Sequence, residues 1–139
     1  MPLKGQKIGF LGGGAMGEAL ITGLLRTGLV APPELYVSDI SSTRLDYLKQ
    51  KLGVNTISDN ITVVREVDIV ILAVKPQVAS SVLKKIAVEL RPGQTFISIA
   101  AGITIGLIES YLEGPIPVVR VMPNTPCLVG EGASAVSAG

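Results

Sequence analysis

Residues 12–17 read Gly-Gly-Gly-Ala-Met-Gly. They stand between an apolar run, residues 7–11, and a helix-period segment, residues 15–25. This junction constrains the fold more than any other part of the chain, because a strand must become a helix within a few residues. Gly12, Gly14 and Gly17 fit the spacing G-x-G-x-x-G. The chain has 16 glycines, so the match alone is weak and its position between strand and helix gives it weight. In that setting Gly12 makes the tight turn, Gly14 lets a pyrophosphate approach the backbone, and Gly17 lets the helix lie close to the strand. The amides of Gly13, Gly14, Ala15 and Met16 are then expected to face the anion, with the helix dipole adding to them. The alternative is a glycine-rich turn in an α/β domain that binds nothing.

The rest of the chain repeats this alternation. Strands are expected at 7–11, 35–38, 54–57 (a short edge strand), 68–74, 95–100 and 118–122, with one more possible at 132–137. Helices are expected at 15–25, 44–52, 61–65, 77–90 and 104–112. The first helix is apolar nearly all round and is expected to be buried. In the second, Leu45, Leu48 and Leu52 share a face and Gly53 closes it. The weak helix at 61–65 is capped by Asp59 or Asn60. Residues 68–74 (DIVILAV) form a continuous apolar run, as in a central parallel strand covered on both faces. In the helix at 77–90, Val78, Val82, Ile86 and Leu90 recur every four residues and are expected to form its apolar face.

Strand and helix in alternation give a parallel α/β sheet, and right-handed crossovers put helices on both faces. The expected architecture is a doubly wound, mostly parallel Rossmann sheet over residues 1–139, with the strands at 7–11 and 68–74 at its centre. One domain suits this length. A hydrophobic share of 47% against a charged share of 17% suggests in addition a face that a further domain covers, with residues 127–139 as the contact.

Composition excludes several functions. The net charge is +1, with 12 basic and 11 acidic residues and no Trp. Neither nucleic-acid binding nor docking on an anionic membrane is expected. The chain has no His and one Cys, which removes Ser–His and Cys–His catalysis, His-ligated metal sites and an internal disulfide. Cys127 reads as a small buried hydrophobe. The uncharged stretch 92–108 contains a Pro and three Gly and does not suit a bilayer span. A signal peptide is not expected either, and the chain is read as cytoplasmic.

Ligands of open α/β sheets lie over the carboxyl ends of the strands. Asp39 ends the second strand, 22 residues past Gly17, where a carboxylate accepts hydrogen bonds from an adenosine ribose. That favours NAD. Arg44, with Ser41, Ser42 and Thr43, would instead suit the 2′-phosphate of NADP, or these hydroxyls simply cap a helix; both readings stand. Lys75, at another strand end, suits a cofactor phosphate or a solvated loop. Thr104 suits a helix cap. Asn124, held between Pro123 and Thr125-Pro126, suits a hydrogen bond to a carboxamide or substrate, or an Asx turn.

Ile8-Gly9-Phe10-Leu11-Gly12-Gly13-Gly14-Ala15-Met16-Gly17, Ala73-Val74-Lys75-Pro76-Gln77, Ser98-Ile99-Ala100-Ala101-Gly102-Ile103-Thr104 and Arg120-Val121-Met122-Pro123-Asn124-Thr125-Pro126 follow one another along the chain. Together they resemble Δ1-pyrroline-5-carboxylate reductase. The resemblance implies an NADPH- or NADH-dependent oxidoreductase that reduces 1-pyrroline-5-carboxylate to L-proline in amino-acid biosynthesis. It implies cofactor contacts at the glycine turn, Asp39, Asn60, Val74, Lys75 and Ala100, Ala101 and Gly102, with Asn124 near the nicotinamide or substrate. It also implies a helical second domain, absent here, that makes a homo-oligomer and completes the substrate pocket. The chain then supplies the cofactor-binding half and by itself lacks turnover. Hydroxyacid dehydrogenases share the glycine turn but lack Met122-Pro123-Asn124-Thr125-Pro126. A non-catalytic nucleotide sensor is the other reading.

Overall fold

The computed structural model describes residues 6–99, 104–112, 116–123 and 134–138. Ala100, Ala101, Gly102, Asn124 and Cys127, singled out above, lie outside them.

Seven strands make one sheet: β1 (Ile8–Leu11), β2 (Leu35–Ser38), β3 (Asn55–Ile57), β4 (Ile69–Leu72), β5 (Thr95–Ser98), β6 (Val118–Pro123) and β7 (Ser134–Ala138). Their order is β3-β2-β1-β4-β5-β6-β7. The first six are parallel, and β7 runs antiparallel to β6. The expected doubly wound Rossmann sheet is therefore present, with β1 and β4 at its centre and β3 at an edge. The chain winds one way from β1 and the other way from β4, so the order reverses between them. A crevice opens at such a point at the strands' carboxyl ends, where residues 12–17 emerge from β1.

Burial explains the pairing. Phe10, Leu11, Val70, Leu72 and Phe96 are fully enclosed. Each large apolar side chain removed from water contributes roughly 1.5–3 kcal/mol, enough to make an uninterrupted run such as IVIL favourable only inside a sheet covered on both sides. Two core layers do this. One joins Ile8, Phe10, Leu35 and Val37 to Ile21 of α1 (Ala15–Thr27) and to Leu45 and Leu48 of α2 (Ser42–Leu52). The other joins Val70, Leu72 and Phe96 to α3 (Asn60–Glu66), α4 (Pro76–Ile86) and α5 (Ile105–Tyr111).

Helix ends follow local chemistry. Gly53 closes α2 with φ 72°. The Asp59 carboxylate accepts from the Ile61 amide and caps α3. The Thr104 hydroxyl accepts from the Leu107 amide at 3.1 Å. Ser41 caps α2, its hydroxyl accepting from the Arg44 amide at 3.2 Å, so for Ser41 the capping role is the one the structure displays.

Two expectations are corrected. Helix α1 is not buried all round: only Gly17 and Ile21 are enclosed, because a helix on an open sheet has one contact side whatever its other sides carry. The buried face of α4 is Ala79, Leu83 and Ile86, and Val78 is exposed. A spacing of four overshoots a 3.6-residue turn by about 40° per step, so Val78 and Ile86 cannot both face the core squarely. No helix among the described residues is long and apolar enough to cross a membrane.

Candidate functional site

The glycine turn is built from both sides. The Gly12 amide donates to the Ser38 carbonyl at 2.8 Å, joining the ends of β1 and β2. Gly12 has φ +105°, and a Cβ there would lie 2.7 Å from the Ala73 carbonyl oxygen. Only glycine suits that conformation and that approach. A Cβ on Gly17 would lie 2.9 Å from the Gly12 carbonyl oxygen, so α1 rests directly on the turn. Val74 forms the wall beneath, its Cγ1 3.1 Å from where a Gly12 Cβ would stand.

Gly14 is different. It is exposed, and a Cβ built on it meets no protein atom within 4 Å. It is the N-cap of α1 and makes no side-chain capping bond. The first amides of a helix have no partner within the helix, and the dipole places partial positive charge there. Gly14, Ala15, Met16 and Gly17 therefore head a helix whose donors face an open cradle at the switch point. That fits the pyrophosphate role expected of Gly14.

Gly13 does not fit the expectation for its amide. It donates to Asp39 Oδ2 at 2.8 Å, and the Gly13 carbonyl accepts from Arg44 Nε. Gly13 is buried, and a Cβ there would meet Leu48 Cδ1 at 2.7 Å. It braces the turn rather than presenting its N–H to a ligand. The physical reason is proximity: β1 and β2 are neighbours, so the carboxylate ending β2 reaches the amide two residues past β1 before any ligand does.

Asp39 lies half-buried at the end of β2. Its Oδ1 accepts from the Ser41 amide at 2.9 Å. A carboxylate offers about four acceptor positions, so each oxygen keeps capacity for a further donor. Asn60, the first residue of α3, is half-buried and pairs its Oδ1 with the hydroxyl of buried Ser38. The turn, Asp39, Asn60 and Val74 thus meet at the carboxyl ends of β1 and β2. Lys75 is exposed and caps α4, with Pro76 as the first helical residue.

Sequence reasoning passed over Glu18. Its Oε1 accepts from Arg44 at 2.6 Å, and its Oε2 accepts from Lys51 Nζ at 2.8 Å and from the Tyr47 hydroxyl at 3.1 Å. The Lys51 ammonium, then burial acting the other way, then the Arg44 guanidinium and Tyr47 leave the Glu18 carboxyl below its ordinary value. The signal was available: Arg44, Tyr47 and Lys51 recur at i, i+3 and i+7, the face of α2 next to its buried leucines, and an acid in the first turn of α1 favours the dipole.

A doubly wound sheet with a glycine turn at the order reversal defines a Rossmann-class domain with the cradle of the dinucleotide-binding type. The chain belongs to the family described as NADP oxidoreductase, coenzyme F420-dependent, whose pattern matches residues 7–102. It is 44% identical over 137 residues to pyrroline-5-carboxylate reductase of Methanosarcina acetivorans, covering 99% of this chain and 51% of that protein. A pyrroline-5-carboxylate reductase from Coxiella burnetii superposes with a TM-score of 0.90 at 37% identity, over 96% of this chain and 50% of that one. The Plasmodium falciparum pyrroline carboxylate reductase with NADP bound gives 0.84 at 36% identity, over 97% and 48%. The chain spans about half the length of the curated relatives it matches.

Proposed function

We propose that this chain is the cofactor-holding half of a pyrroline-5-carboxylate reductase, which reduces 1-pyrroline-5-carboxylate to L-proline in proline biosynthesis. The reading is carried by the open cradle at Gly14, in a chain related along 99% of its length to such a reductase. A nicotinamide dinucleotide bound there supplies hydride to the C=N carbon.

The chain's own groups hold and orient. The amides of Ala15, Met16 and Gly17 receive the pyrophosphate at the helix N-terminus, and Asp39 accepts from the adenosine ribose. Asn60, Val74 and Lys75 border the same crevice. In this reading Ala100, Ala101 and Gly102, which follow β5 in the sequence, belong to the cofactor contacts, and Asn124, which follows β6, belongs to the nicotinamide or substrate end. Fixing the ring against the imine removes much of the orientational cost of the reaction. Without a histidine in the chain, the proton for the ring nitrogen comes from water or from the portion the relatives carry beyond this chain. That portion also completes the substrate pocket and the homo-oligomer, and we place the enzyme in the cytoplasm.

Calorimetry of the 139-residue chain with NADH and NADPH tests the cradle. We expect binding that Gly14→Val abolishes with the fold intact, since the added methyls enter ligand space and not protein; unchanged affinity in that variant overturns the reading. Proline formation should need the relatives' second half added in trans. Turnover by this chain alone near the typical enzyme rate, on the order of 10 per second, would overturn the division of labour.

A further inference from the structure

Two features beside the cradle bear on which dinucleotide it takes. The first is Asp39. Its carboxylate stands at the end of β2, held there by the Gly13 and Ser41 amides, where the proposed reading puts the adenosine ribose. The second is the state of Arg44, the one cation in the segment 39–44 that follows β2. A 2′-phosphate needs such a cation, and arginine suits it because two parallel N–H groups match two phosphate oxygens.

Arg44 is already committed on three sides. Its Nε donates to the Gly13 carbonyl. Its terminal nitrogen is 2.6 Å from Glu18 Oε1. Its guanidinium lies over the Tyr47 ring, 4.9 Å from the centroid. The carboxylate that holds it is itself clamped, by Lys51 at 2.8 Å and the Tyr47 hydroxyl at 3.1 Å. The Glu18 and Arg44 side chains are only 17% and 28% exposed, so solvent screens this pair less than a pair on the open surface. A 2′-phosphate that took the Nε and Nη2 donors as a fork would have to displace Gly13 and Glu18 from Arg44. Glu18 would then be left with Lys51 and the Tyr47 hydroxyl as its partners.

We propose that Glu18 is a specificity-determining residue of this site: by sequestering Arg44 it makes the cradle prefer NADH, with free ribose hydroxyls, over NADPH. The proposal rests on the reading of the glycine turn as a nicotinamide dinucleotide site. Glu18 touches no ligand in this account. It acts through Arg44 and is a positioning residue. Nothing in the glycine turn itself distinguishes the two cofactors, because the pyrophosphate is common to both.

The test is the dissociation constants of NADH and NADPH, by titration calorimetry at fixed salt, for the unaltered chain and for Glu18→Gln, Arg44→Ala and the double variant. The unaltered chain should bind NADH more tightly. Glu18→Gln keeps a hydrogen-bonding shape but frees the guanidinium. It should tighten NADPH relative to NADH by about tenfold, the worth of a hydrogen bond to a charged group, and Arg44→Ala in the same chain should cancel that gain. Arg44→Ala alone should leave the ratio of the two constants unchanged, since the residue is already occupied. This last variant keeps the proposal testable if Glu18→Gln fails to fold. A tenfold loss of relative NADPH affinity in Arg44→Ala, or a ratio unmoved by Glu18→Gln, overturns Glu18's role while dinucleotide binding stands. Binding of neither nucleotide by the unaltered chain overturns the site reading itself.

Discussion

The Gly13 amide donates to Asp39 Oδ2 at 2.8 Å across a separation of 26 residues. The bond joins the turn after β1 to the end of β2, so the position of the glycine turn and the position of the Asp39 carboxylate are one geometric fact. A change at either residue is felt at both.

Replacing Asp39 by Ser therefore has two consequences. On the proposed ribose role of Asp39, loss of the carboxylate should remove a repulsion of the 2′-phosphate and the ribose bonds together, so the affinity ratio should move toward NADPH by about tenfold or more. Loss of the Gly13 acceptor should also weaken both nucleotides together. Paired titrations with NADH and NADPH separate the two: a ratio that does not move means Asp39 acts only as a brace.

Gly12→Ala should unfold more easily. The backbone at Gly12 has φ +105°, and the new Cβ would stand 2.7 Å from the Ala73 carbonyl oxygen. A strained φ costs on the order of 1–3 kcal/mol, and the clash with backbone adds to it. Urea denaturation of the variant should show a lowered midpoint. Gly14→Val, by contrast, should hold its midpoint while losing nucleotide.

Gln94, 2% exposed, sits at the amino end of β5, the edge opposite the cradle. Its Nε2 donates to the carbonyls of Val64 and Val67 at 2.7 and 2.8 Å, and its Oε1 accepts from the Arg91 amide at 2.8 Å. Gln94→Leu strands these backbone groups, each worth about 1–3 kcal/mol when buried without a partner. Stability should fall by about 2 kcal/mol or more. Nucleotide affinity of the folded fraction should stay the same, and a matching loss of affinity would show that the two edges are coupled.

Acid should release the Glu18 cluster. The carboxyl is held below its ordinary value of 4.5, so the unfolded chain takes up the proton first as pH drops. The stabilisation is complete above that ordinary value and disappears as pH falls through the lower, folded one. The stability gap between the unaltered chain and Glu18→Gln should be widest near neutral pH and should close as pH falls below the carboxyl's lowered value. Denaturant midpoints across that range measure it, and a gap that stays constant would mean that Glu18 is not the titrating group.

The elements were legible because their causes are local. Residues 68–74 spell a strand through apolar continuity, and β4 lies within them. Gly53, Asp59 and Thr104 announce helix ends through bonds spanning at most a few residues. Periodicity alone is a weaker guide than a cap or an apolar run. The four-residue spacing in α4 pointed at Val78, and the contact with the sheet selected Ala79, Leu83 and Ile86.

The sequence by itself determined the class of fold and the place of the cradle. A glycine triplet with one spacing, between one strand and one helix, admits few backbone paths. Which donors and cations stay free was decided only in three dimensions. The Gly13 amide is taken by Asp39, and the Arg44 guanidinium is paired with Glu18, through contacts 26 residues apart in each case. Such partners share no local pattern. They meet because β1 and β2 pair in parallel, which brings the turn after one strand, the end of the other and the first turns of α1 and α2 to a single edge of the sheet.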